Sequence, residues 1–122
     1  MAIKPGKPTA LARVGKTLVL AMPGNPTSCL SNAYLLLVPM LRKMARLSPQ
    51  MPRSISLPLA SRIVSSAGRH QFYTVKVVNG TAVPAFKSSG DITSMSHADG
   101  YIEIPAQTEI VEAGEMVKVK LF

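Results

Sequence analysis

The chain predicts an α+β protein: a strand–turn–helix unit, read as the end of a larger α/β domain, followed by a small all-β barrel. Three observations carry this. Leu30, Tyr34, Leu37, Leu41 and Met44 recur at helical spacing. Past the proline-containing stretch at 47–54 the pattern changes from helical to alternating, with turn signals such as Asn79-Gly80. Between strand-like and helix-like runs, Pro23-Gly24-Asn25-Pro26 stops one and starts the other.

Taken in order, "KPGKP" at 4–8 cannot be a helix or a central strand, because its prolines remove donors and fix φ. It reads as a stiff loop presenting Lys4 and Lys7. "ALARVGKTLVLAM" at 10–22 reads as a hairpin turning at Gly15-Lys16, with 17–22 apolar enough for a buried strand. Asn25 is a good N-cap and Pro26 suits the first helical position. Arg42, Lys43 and Arg46 complement the helix dipole at its far end, and Pro39 should kink the helix. Strands are expected at 55–62, 70–78, 81–86, 101–105 and 116–122, with turns at Asn79-Gly80, Asp99-Gly100 and Ala113-Gly114. The domain reading is 1–48 for the α/β end, 49–54 for a linker and 55–122 for the barrel. One strand and one helix cannot bury a core alone, which is why 1–48 reads as part of something larger.

The formal charge of +8 is unevenly placed: residues 1–50 hold seven Lys and Arg and no Asp or Glu, whereas 51–122 hold seven basic and six acidic residues. A half with no acidic residue suits an anionic ligand, nucleic acid or an acidic partner, with a merely solvated basic face as the alternative. Cys29 is the single cysteine, so an internal disulfide is excluded; it reads as a buried small side chain rather than a catalytic thiol. No signal peptide or membrane span is legible, and a cytoplasmic location is the default expectation.

A strand leading through a glycine turn into a helix start is a natural anion site, because unpaired N–H groups and the dipole favour negative charge there. "PGNP" has that form, and the lysines of "KPGKP" could reach the same anion. The plain alternative is a tight turn with a good cap and no ligand. His70 and His97 lack metal-ligand spacing, Asp91 and Asp99 read as turn residues beside glycines, and no Ser-His-Asp or Walker pattern is present.

"KPGKP", then "PGNP" followed by Ser28 and a helix with a late proline, resembles the MoeA family of molybdopterin molybdotransferases, which includes the E domain of gephyrin. "GRHQFYTVKV" at 68–77, "SSGDITSMSHADGYIEIP" at 88–105 and "EAGEMVKVKLF" at 112–122 resemble that family's C-terminal domain IV. The resemblance implies that 1–48 ends a MogA/MoaB-like α/β catalytic domain. It also implies a homodimeric transferase that inserts molybdate into adenylylated molybdopterin and releases AMP, with Mg2+ held by residues outside this chain. It implies that Lys4 and Lys7 clamp an oxyanion or phosphate and that Pro23, Gly24, Asn25 and Pro26 form the site wall. Ser28 would add a hydroxyl, while Arg69 and Ser89 would face the ligand cleft from the β-domain. No catalytic residue and no metal ligand is assigned. Two positions depart from the pattern: Thr74 stands where some members carry a ligand-binding arginine, and Ala12 where a glycine is common.

The family's upstream motifs are not in these 122 residues, so the expectation is a C-terminal piece that is catalytically incomplete alone. The rival expectations are a non-catalytic scaffold binding a pterin phosphate or a protein, and a basic nucleic-acid-binding β-barrel. Against the latter, the β half carries little net charge and no clustered stacking aromatics. Exposed apolar faces on 1–48 predict self-association.

Overall fold

The computed structural model describes residues 1–85 and 93–122. Strand β1 (Ile3–Lys4) is the first element, and it lies at the edge of a sheet, parallel to β6 (His70–Val78), with Ile3 opposite His70 and Lys4 opposite Gln71. Pro5 ends it, as expected of a residue with no N–H to offer a ladder. The expected loop therefore begins one residue later than "KPGKP", and Lys4 is a strand residue.

β2 (Ala10–Val14) and β3 (Thr17–Ala21) form the expected hairpin, with Gly15 at φ 60° in the turn. The expectation of a buried strand at 17–22 is overturned: Leu18 and Val19 are 41% and 46% exposed. Among the described residues β2 and β3 pair only with each other, and a two-stranded ribbon without a covering layer leaves apolar side chains exposed.

Asn25 caps the next element, its Oδ1 accepting from the Ser28 N–H at 3.1 Å, and Pro26 opens α1 (Pro26–Asn32). The helix continues through a π turn at Ala33–Leu37 into α2 (Val38–Met44). Pro39 has no N–H for the Leu35 carbonyl, and a wider turn just before it relieves the clash of its ring with the preceding turn. The run ends on Arg46 at φ 56°, with the Leu47 N–H returning to Arg42 O and the Arg46 N–H to Lys43 O, a Schellman closure. The apolar stripe does not face a core: Leu30, Leu41 and Met44 are at least half exposed. The buried side of α1 is polar instead, made of Thr27, Ser28, Ser31 and Asn32, and Cys29 is half-buried rather than buried.

β4 (Ser54–Pro58), β5 (Ile63–Val64), β7 (Thr81–Pro84), β8 (Gly100–Ile104), β9 (Ile110–Val111) and β10 (Met116–Leu121) complete the strands. The strand expected at 55–62 ends at Pro58. The main sheet is six-stranded and mixed, in the order β1-β6-β8-β10-β4, with β7 on the same edge of β6 as β1. Its ends approach each other where Leu59 bridges Ala82 and the Ala60 N–H reaches Ala82 O at 2.8 Å. Asn79 and Gly80, at φ 48° and 73°, make the β6–β7 turn as read from the sequence. Phe86 and Asp91, assigned to a strand end and a turn, lie outside the described residues.

Over residues 71–75 β6 is covered on both faces. One face joins Leu59, Ile63, Val75, Ala82, Ile102, Ile104, Val111 and Val119 in the core. On the other, Phe72 stacks on Tyr101 with centroids 4.1 Å apart, and Phe122 and Tyr34 extend the cluster, Tyr34 lying 5.2 Å from Phe122. Tyr34 thereby ties the helical run to the sheet.

The Asp99-Gly100 turn is also corrected. Gly100 belongs to β8, opposite both Val75 and Leu121. A Cβ there would lie 2.4 Å from the Lys120 carbonyl oxygen, so glycine serves close approach of two backbones rather than a turn. Asp99 instead anchors the start of the strand by accepting from the Val77 N–H at 2.8 Å.

Candidate functional site

Pairing of β1 with β6 does more than extend the sheet. It sets the 4–8 loop beside the segment that leads into β6, and the helix start packs against the same loop. A cleft of about 350 Å³ results, lined by Ile3, Lys4, Pro5, Gly6, Lys7, Pro8, Pro23, Gly24, Asn25, Ser28 and Arg69. Seven of the nine residues expected at the site from sequence therefore converge: Lys4, Lys7, Pro23, Gly24, Asn25, Ser28 and Arg69. Pro26 is exposed and off the lining. Ser89 lies outside the described residues.

Lys4 is held by its Nζ donating to Ser66 Oγ at 2.7 Å. Ser66 is itself tied to the sheet, because Gln71 Oε1 accepts from the Ser65 hydroxyl at 3.0 Å and from the Ser66 N–H at 3.5 Å. An ammonium has three protons, so Lys4 keeps two for a ligand. Arg69 follows Gly68, whose φ of 76° turns the chain just before β6. The first turn of the helix contains no acidic residue. The Asn25 carboxamide already takes the Ser28 N–H, so attraction for an anion comes from the three cations and the dipole rather than from that amide.

Among the described residues the cleft lining has no carboxylate, histidine or thiolate. Among the described residues no three His, Cys, Asp or Glu side chains gather as a metal site. Mg2+ is bound through carboxylates, and the described lining offers three cations and no carboxylate, so it does not fit Mg2+.

A larger cavity of about 500 Å³ lies between the helical run and the sheet, bordered by Tyr34, Pro39, Arg53, Glu103, Lys120 and Phe122 among others. Its carboxylate is already engaged: Glu103 bonds Lys120 Nζ and lies 2.9 Å from His70 Nε2. Burial pushes Glu103 up, but the Lys120 hydrogen bond and charge, helped by His70, more than offset this and leave it below the usual carboxylate value. Lys120 is raised, chiefly by its hydrogen bond to Glu103. That triad is a satisfied internal network. Its charges are matched within the fold, whereas among the described residues no carboxylate pairs with Lys4, Lys7 or Arg69.

The sequence model of the MoeA C-terminal region (domain IV) matches residues 56–122, more than half of the chain. The chain belongs to the MoeA family. A putative molybdopterin biosynthesis protein of Methanocaldococcus jannaschii is 30% identical over 119 residues, which is 98% of this chain and 28% of that protein. Molybdopterin molybdenumtransferase 2 of Mycobacterium tuberculosis is 28% identical over 98% of the chain. Among solved structures, two molybdopterin biosynthesis MoeA proteins from Pyrococcus horikoshii superpose with TM-scores of 0.77 and 0.84 at 41% and 30% identity. Each is matched over 98% or more of this chain and 30% of its own. This MoeA-family chain thus spans about 30% of the length of relatives it matches.

Thr74, the departure noted in sequence, is buried opposite Tyr101 and does not line the cleft. Among the described residues its hydroxyl has no partner. Sequence reasoning missed Ile3, Pro5, Gly6 and Pro8 as lining, and Ser66 and Gln71 as the support of Lys4. The last two are 62 or more positions from Lys4, and no local pattern announces them. No helix among the described residues is long and apolar enough to cross a membrane.

Proposed function

We propose that this MoeA-family chain supplies one wall of a molybdenum-insertion site, followed by a small β-barrel domain. The observation that carries the reading is the convergence of Lys4, Lys7 and Arg69 with the start of the helical run on one cleft whose described lining holds no carboxylate. Insertion of molybdate into adenylylated molybdopterin brings an oxyanion up to a dithiolene that carries a phosphate. Their mutual repulsion must be offset by fixed cations. A cation–anion contact near 4 Å contributes about 1 kcal/mol in bulk water and about 4 kcal/mol at the effective dielectric of a protein surface, so three cations around one recess act against that repulsion. In this reading Lys4 and Lys7 clamp oxyanion or phosphate oxygens, Arg69 offers its planar fork from the β side, and Pro23 to Pro26 shape the wall. Ser89 belongs to the same reading by resemblance.

The test is titration of the chain with molybdate and with adenylylated molybdopterin by calorimetry. The Lys4→Ala, Lys7→Ala and Arg69→Ala variants should each weaken binding, by about tenfold for one charged hydrogen bond lost. Equal affinity of the wild type and the triple variant overturns the proposal. The catalytic contribution is tested by supplying this segment to a longer MoeA relative from which its own equivalent has been deleted. Restored cofactor formation supports the reading, and no restoration by a folded segment refutes it. The nucleic-acid alternative would show as strong, steeply salt-dependent binding to generic RNA or DNA.

A further inference from the structure

Behind the cleft, two polar side chains join its two walls. Thr9 and Asn32 are 1% and 0% exposed, and neither lines the cleft. Asn32 Nδ2 donates to Thr9 Oγ1 at 2.6 Å, and Thr9 Oγ1 donates to Gly6 O at 2.7 Å. The Thr9 N–H also reaches Gly6 O, at 2.9 Å, closing a turn that carries Lys7 and Pro8 at its corner. A hydroxyl has one proton. With that proton on Gly6 O, Thr9 can only accept from Asn32, which fixes the amide orientation.

Gly6 presses on the same carboxamide. Its φ is 115°, and a Cβ there would lie 2.2 Å from Asn32 Nδ2. A buried Asn is a poor choice in a helix interior, and among the described residues Asn32 Oδ1 has no partner. An apolar residue would cost less here, but it could not donate to Thr9. The carboxamide sets the loop of 4–8 at one distance and one rotation from α1.

We infer that Thr9 and Asn32 are positioning residues: their latch holds the Gly6–Thr9 turn so that Lys7 faces the same anion as Lys4 and the helix start. This inference rests on the anion-cleft reading above. Neither residue touches the ligand; both act through the backbone of Gly6.

The experiment is a calorimetric titration with inorganic molybdate. Thr9→Val removes the hydroxyl at constant shape and should weaken binding about tenfold, whereas Thr9→Ser should stay within about twofold. In a Lys7→Ala background, Thr9→Val should add less than about twofold, because the latch acts through Lys7. A merely structural role would lower the melting temperature without that non-additivity. If Thr9→Val fails to fold, Asn32→Ser, too short to span to Thr9, replaces it with the same expectation. Wild-type binding that is lost with Lys4→Ala but retained by the folded latch variant overturns the inference and leaves the cleft standing. Additive losses from Thr9→Val and Lys7→Ala overturn it as well. A wild type that does not respond to molybdate or to adenylylated molybdopterin overturns the cleft reading and the inference together.

Discussion

Replacing Gly100 with alanine separates two readings of one residue. In a turn, a glycine with ordinary φ would accept a methyl group at little cost. In the structure, the new Cβ would meet Lys120 O at 2.4 Å, and both Lys120 C and Val119 Cγ1 at 3.1 Å. The first two contacts are backbone, so no rotamer change relieves them. β8 and β10 must separate by about 1 Å to restore ordinary van der Waals distance. The pairs Lys120–Tyr101 and Leu121–Gly100 are the whole register between these strands, so the ladder there is lost or bent. Overpacking of about 1–3 kcal/mol plus one weakened hydrogen bond of about 1 kcal/mol gives a destabilisation of about 3 kcal/mol. For a chain of this size that is a fall in Tm of about 10 °C. Urea unfolding followed by circular dichroism reads it, with Gly24→Ala as control, since nothing lies within 4 Å of a Cβ at Gly24. A Gly100→Ala midpoint equal to that of Gly24→Ala would refute the close-approach argument.

The Glu103 network makes stability depend on pH at both ends. Glu103 titrates below its unfolded value, so its contribution is complete above about pH 4.3 and is lost as pH falls through the lowered folded value. Lys120 titrates above its unfolded value, so its contribution is complete below about pH 10.4 and is lost as pH rises through the raised folded value. Glu103→Gln should flatten the acid limb and cost about 1–2 kcal/mol, between an exposed pair and a buried one; an unchanged acid limb in urea titrations across pH would count against it. Tyr34→Ala should cost about 1–2 kcal/mol and raise amide exchange in 26–44 before exchange in β6, because it removes the aromatic tie at Phe122 and Tyr101. Leu11, Val14, Leu18, Leu30, Leu41 and Met44 are all exposed, so sedimentation should show self-association that weakens when Leu30 and Leu41 become Ser; a strict monomer at high concentration contradicts it.

What the sequence determined was local and chemical. The β6 span, the Asn79-Gly80 turn, the Asn25 cap and Pro26 at the helix start each follow from a few adjacent residues whose backbone preferences agree. The cations of the cleft were legible because charge and residue type survive folding unchanged. Tertiary structure decided what those pieces face. Leu18 and Val19 look buried by composition and stand in solvent, because whether a second layer covers a hairpin is not written in the hairpin. The helical spacing marks Leu30, Leu41 and Met44 as the packed stripe, yet the buried side of α1 is Thr27, Ser28, Ser31 and Asn32, with Asn32 matched to Thr9 and Gly6. Gly100 reads as a turn beside Asp99 and is a point of strand contact. Most of all, the parallel register of Ile3 on His70 brings Arg69 and Ser66 to Lys4. Such a pairing depends on contacts between distant segments, which local periodicity does not encode.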